Sequence, residues 1–271
     1  MRLLLMCYFI FLLQKLEAQK FYAGINAGYN FGIASQNLSS NVNTTAGQTS
    51  NAVVKGSFGN GLNAGCFGGY WLNSNIGFEL QASYTLSRDF KANYVNEGIY
   101  TQKTDLTATM LKVLPCIIIT VGDKKIRPYV KMGMAFRVAG NITSTVNYYD
   151  VQLASTTITE TKYTKGFSLG MFSALGASKK LNEKFTFFME ALINVQSWAP
   201  NNGDITKYTI NGVDMTSNLN VNQRNIQFNN SYVFDKSAYT QWKPRQELKQ
   251  YQPFSSIGIN VGVYYSFIKK K

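Results

Sequence analysis

The chain has 271 residues, of which 45% are hydrophobic and only 15% charged, with a formal net charge of +13. A soluble domain carries about 25% charged residues, so this composition argues against an ordinary soluble globule. There is no histidine, which excludes histidine-ligated metal centres and histidine-dependent triads encoded in this chain. The positive charge is spread along the sequence and not gathered into a stripe, so nucleic acid is not an expected partner.

Met1-Arg2 precedes an apolar run from Leu3 to Leu13. The run is too short to span a bilayer and suits a cleaved secretory signal over residues 1–18. Beyond it no apolar stretch approaches the ~20 residues of a membrane helix. Cys66 and Cys116 then remain. They are expected on strands two apart, roughly 9–10 Å from one another, beyond the ~7 Å reach of a disulfide. Both are expected as free thiols.

Residues 19–271 read as alternating strands separated by connections of two lengths. The first strand, about 21–33, sets Phe21, Ala23, Ile25, Ala27, Tyr29 and Phe31 against Tyr22, Gly24, Asn26, Gly28 and Asn30. A polar connection, 34–60, follows. The second strand, about 61–72, turns at Asn73-Ser74-Asn75 into the third, where Ile76, Phe78, Leu80, Tyr84 and Leu86 alternate with Gly77, Glu79, Gln81, Ser83 and Thr85. After a connection at 88–104, the fourth strand covers about 105–120. Its parity is the hardest to fix. If Lys112 points inward, Leu111, Val113, Ile117 and Ile119 point outward. Pro115 cannot donate to a ladder, so a bulge or a break in pairing is expected there.

The fifth strand, about 126–138, places Pro128, Val130, Met132, Met134 and Phe136 outward and Arg127, Tyr129, Lys131 and Arg137 inward. A threonine-rich connection, 139–164, leads to the sixth strand at about 166–179. The seventh runs from Phe185 to Gln196, with Glu190 inward. The connection 199–254 is the longest, and Asn211-Gly212 within it predicts a type I′ hairpin turn. The last strand, Ser256–Phe267, sets Ile257, Ile259, Val261, Val263, Tyr265 and Phe267 against small or polar residues.

These observations predict an all-β, eight-stranded antiparallel up-and-down transmembrane β-barrel. It would have short periplasmic turns and long extracellular loops at 34–60, 88–104, 139–164 and 199–254. Ten strands are the alternative. A soluble barrel would carry its apolar face inside, around a ligand; here the inward face is Gly, Asn, Gln, Ser and charged residues. Tyr70, Trp71, Tyr84, Phe136, Trp198, Tyr265 and Phe267 lie near predicted strand ends and are expected as interfacial girdles.

Asn260, Gly262, Tyr265 and Phe267 resemble the C-terminal sorting signal of bacterial outer-membrane barrels. With the Tyr22–Gly28 start, Leu114-Pro115 and Arg127–Val130, the whole chain after residue 18 resembles the OmpA/OmpX-type barrels, and among them the PorT-like barrels of Bacteroidota. That resemblance implies location in the outer membrane of a Gram-negative bacterium and contact with outer-membrane lipid and lipopolysaccharide. It also implies handling by barrel-assembly machinery. A monomer with no cofactor and no enzymatic activity is expected, since the chain lacks histidine and carries no P-loop, dinucleotide fingerprint, zinc-spaced cysteine pair or EF-hand loop.

Glu79, Glu190, Arg127, Lys131 and Arg137, with Lys112 a further candidate, would form a charge network in the lumen, since buried charges must be paired. A proton or ion path and a carboxylate pair are the functional alternatives at the same residues. Trp242, Lys243 and Arg245, near Lys236 and Lys249, form a candidate surface-binding patch for lipopolysaccharide phosphates. Tyr148, Tyr149 and Trp242 are candidates for stacking on carbohydrate. The functional expectation is envelope structure, adhesion or partner binding through the loops. A PorT-like secretion or assembly component with a surface or periplasmic protein partner, and a narrow porin-like channel, stay open beside it.

Overall fold

The computed structural model describes residues 21–122, 125–232 and 240–267. The expected signal segment 1–18, Lys236 and Lys269–Lys271 lie outside the described residues. Eight strands close into a barrel: β1 (Phe21–Gly32), β2 (Gly61–Trp71), β3 (Ile76–Ser87), β4 (Tyr100–Thr120), β5 (Ile126–Asp150), β6 (Leu169–Lys180), β7 (Phe185–Trp198) and β8 (Ser256–Ser266). Each pairs antiparallel with the next, and β8 returns to β1, where Gly28 faces Asn260 and Ala23 faces Tyr265. Closure leaves the barrel strands without a free edge in the hydrocarbon layer, the condition for a sheet to cross a membrane.

Alternation sets the two faces. Ile25, Leu62, Leu80, Met132, Met171, Leu175 and Ile259 are all at least half exposed on the outside. Asn26, Asn63, Gln81, Ser83, Lys131, Glu190 and Asn260 are buried inside. An apolar exterior on this scale requires an apolar surrounding. Within the lumen the strands differ. β1 to β3 and β8 contribute mainly glycine, with asparagine, glutamine and serine. β4 to β7 contribute Leu114, Cys116, Ala135, Phe172, Ala174 and Leu192, which pack together as one cluster.

Cys66 faces outward and Cys116 inward, and both are free thiols. On β4, Lys112 is buried while Ile117 and Ile119 are exposed, which resolves the parity of that strand. Pro115 keeps its place opposite Leu80 on β3, but the β4–β5 ladder is interrupted at Leu114 and Pro115. The bulge lies elsewhere, on β5, where Leu111 faces Ala139 and Lys112 faces Arg137. The extra residue reverses the faces of β5, so Arg137 points in below the bulge and Ile142 points in above it.

The structure departs most from the sequence reading in the connections. β4 has 21 residues and β5 has 25, while ~9–11 suffice to cross the hydrocarbon layer. Both continue as a ribbon, which broadens on each side. Beyond β4 lie Phe90–Asn96, then Gln36–Thr45, then Gln48–Gly56. Beyond β5 lie Ser155–Thr164, Asn202–Ile210, Asn225–Asn229 and Arg245–Leu248. The segments expected as polar loops therefore form a second sheet continuous with the barrel. Asn211 and Gly212 both take positive φ, 49° and 82°, at a two-residue turn, as a type I′ turn requires.

Candidate functional site

The inward faces of β3, β5 and β7 bring three charges together. Lys131 Nζ lies 2.7 Å from Glu79 Oε1 and 3.2 Å from Glu190 Oε2, and all three side chains are almost wholly buried. Two tyrosines complete the carboxylates. Tyr22 Oη donates to Glu79 Oε2 at 3.0 Å, and Tyr129 Oη donates to Glu190 Oε2 at 2.8 Å. The Asn260 amide donates to Glu190 Oε1 at 3.4 Å and accepts from Asn63 at 2.9 Å. Phe67, Tyr129 and Phe188 place their rings 5.1–5.4 Å from Lys131 Nζ. Each carboxylate is thus matched by a cation and a donor, the arrangement that offsets charge burial.

Glycines make room for this layer. A Cβ at Gly69 would stand 2.1 Å from the Tyr22 ring, and one at Gly176 would stand 2.6 Å from the Tyr129 ring. Gly262 admits Phe188 in the same way, with 2.5 Å left to a Cβ. The glycine of the sorting-signal pattern therefore also has a packing reason. Of the other members of that pattern, Asn260 faces the charge layer. Tyr265 and Phe267 stack edge to face at 5.2 Å, with Phe185 beyond.

Two expected network members lie elsewhere. Arg127 points to the periplasmic mouth, where it donates to the carbonyls of Gly122 and Ser74 and lies over Trp71. Arg137 sits at the opposite end, donating to the carbonyls of Gly166 and Gly140 with its guanidinium 4.0 Å from the Trp198 ring. A strand rises ~3.3 Å per residue, so Arg127 and Arg137, four and six residues from Lys131, lie far along β5 from it, and of these three cations only Lys131 reaches the carboxylates. Lys112 is buried without entering the trio.

Trp198 is likewise no girdle residue. It is fully buried and donates from its indole N–H to the Lys165 carbonyl. With Phe58, Met110, Ile142, Phe254 and neighbours it forms an apolar plug at the loop end of the lumen. Its even number already placed it inward on β7, beside Phe188 and Glu190. Trp71 also turns inward and packs on Tyr22. At the periplasmic end, the cavity between Tyr22, Phe67, Lys131 and Phe188 measures about 20 Å³, room for about one water. The barrel is therefore blocked at two levels.

Above the plug, three of the long connections and β4 converge on a cavity of about 200 Å³. Leu38, Leu106, Ile142, Tyr163 and Phe228 line it, with Glu247 at its polar side. Burial and the Glu247 carboxylate push the Tyr163 phenol up from its usual range. Of the expected surface patch, Trp242 and Lys243 are exposed, but Arg245 is engaged by Glu247 at 2.7 Å.

A closed antiparallel barrel with an apolar belt outside and paired charges inside defines a transmembrane β-barrel of the outer-membrane class. The chain belongs to the outer membrane protein beta-barrel domain family, whose model matches residues 17–195. This places it in the outer membrane of a Gram-negative bacterium. No curated protein matches the sequence. Among solved structures, the chain is similar to Neisserial surface protein A (NspA) at 10% identity and a TM-score of 0.36, covering 91% of this chain and 97% of that one. OprG from Pseudomonas aeruginosa matches at 12% identity and a TM-score of 0.42, over 93% and 97%. The outer membrane protease OmpT from Escherichia coli matches at 10% identity and a TM-score of 0.29, over 93% and 98%.

Proposed function

We propose that this protein is a non-enzymatic, non-conducting barrel that serves as a rigid base for a surface-binding sheet. The observation that carries this reading is the pairing of a lumen blocked at two levels with extracellular connections built as one ordered sheet. A channel needs a continuous polar path, and the apolar plug around Trp198 and Phe58 opposes one. The sheet, in contrast, ends in strand edges. Among the described residues, Gln48–Gly56 pairs only with Gln36–Thr45, and Arg245–Leu248 only with Asn225–Asn229. An unpaired edge offers backbone donors and acceptors to an added strand. The partner that fits is an extended segment of a surface or secreted protein.

The test is site-specific photo-crosslinking in intact cells. A crosslinker at Asn51 or Val53 on the free edge should capture a defined species, and one at lipid-facing Ile259 should not. Capture only from the periplasmic turns, near Ser74 or Asn182, would instead favour a PorT-like assembly component. Absence of capture from every loop position would remove the surface-binding reading.

A further inference from the structure

At the outer rim, between the hairpin Gln36–Gly56 and the start of Phe90–Asn96, lies a cleft of about 510 Å³. Lys55, Arg88 and Lys91 line it with Ser35, Asn60 and one carboxylate, Asp89. We propose that this cleft binds the phosphate of an outer-leaflet lipid headgroup. The proposal depends on the orientation of the barrel in the outer membrane and not on the surface-binding role of the sheet.

Three observations support it. The first is height. Tyr84 and Leu86 are the last lipid-facing residues of β3, and Arg88 continues the same outward row two residues on. Asn60 ties the floor of the cleft to the belt: its carbonyl accepts from the Arg88 backbone N–H at 2.8 Å, and its side chain accepts from Tyr29 Oη at 3.2 Å. The cleft therefore opens where acyl chains end and headgroups begin.

The second is charge. Among the described residues, neither Lys55 nor Arg88 forms an ion pair, and Lys91 has only a 4.0 Å contact with Asp105 in which both side chains are well exposed. With Asp89 in the cleft and Asp105 beside Lys91, three cations stand against two carboxylates, a net positive charge that a lipid phosphate would offset. The third is order. Arg88 is held against the Phe90 ring at 6.0 Å, and that ring is buried against Phe58. At the Trp242 patch, in contrast, Arg245 is already engaged by Glu247 at 2.7 Å.

The experiment titrates the detergent-purified full-length barrel with bisphosphorylated lipid A, its dephosphorylated form and inorganic phosphate, and reads bound species by native mass spectrometry. A combined Lys55→Ala, Arg88→Ala, Lys91→Ala variant should bind phosphorylated lipid A roughly tenfold more weakly or worse. A control with Lys179→Ala and Lys180→Ala, at the periplasmic end of β6, should bind like the parent. The mobility difference between boiled and unboiled samples verifies that each variant is folded. Equal binding by parent and triple variant, or equal binding of dephosphorylated lipid A by the parent, would overturn the assignment. Saturation by inorganic phosphate with no preference for the lipid would assign the cleft to a free anion and overturn the lipid headgroup.

Discussion

Among the described residues, Lys131 is the only cation that reaches Glu79 inside the barrel, at 2.7 Å, and the same ammonium also holds Glu190 at 3.2 Å. One side chain thus joins β3, β5 and β7 across the lumen. Replacing it should leave two buried carboxylates without their counter-ion, a change that costs about 3–5 kcal/mol. Lys131→Met should lower the temperature at which the unboiled form is lost. Glu79→Gln added to Lys131→Met should recover part of that loss, because one unpaired charge is removed. A double variant no better than the single one would mean that the trio is not energetically coupled.

Gly176 should tolerate no large side chain. Its Cβ would stand 2.6 Å from the Tyr129 ring, so Gly176→Leu would displace the donor to Glu190. Overpacking of this kind costs ~1–3 kcal/mol. The adjacent Ala177→Leu adds the same bulk to the exposed, lipid-facing side and should leave thermal mobility shifts unchanged. Equal behaviour of the two variants would show the faces to be wrongly assigned.

Ile259→Arg should impair assembly in membranes. Ile259 is 54% exposed on the belt of β8, and a cation at the midplane of the lipid face costs ~2–4 kcal/mol. The measurement is the folded fraction after refolding into vesicles. Undiminished folding would remove Ile259 from the lipid face.

The barrel strands were legible in the sequence because period two is a strong signal when lipid and lumen differ in polarity. β3, β7 and β8 carry it over their whole length. Two things were not legible. Trp198 and Trp71 were read by type, as girdle residues, although their parity on β7 and β2 points them inward. The loop sheet carries little alternation, since Gln36–Thr45 and Ser155–Thr164 are flanked by solvent and by polar neighbours on both faces. Such strands are specified by pairing, Ser155–Thr164 with β5 and Gln36–Thr45 with Phe90–Asn96, and not by a buried apolar row. The β5 bulge near Ala139 then reverses the face, so extending the strand-5 pattern past residue 138 would have inverted it.

The candidate site divides along the same line. Glu79, Glu190 and Lys131 were identifiable as inward charges. Which of the inward cations reaches the carboxylates depends on strand tilt and register, which assign Arg127 to the periplasmic turns and Arg137 to Trp198. Tyr22 and Tyr129 carried a usable signal, since each is an inward polar aromatic with a glycine opposite it in the neighbouring strand.

Single-channel recording of the full-length protein refolded into planar bilayers tests the sealed, surface-acting barrel most directly. The wild-type chain should insert without discrete current steps, because the charge layer at Lys131 and the plug at Trp198 both close the lumen. Reproducible open steps from the folded, heat-modifiable form would contradict that account and return the inward charges to the role of an ion path.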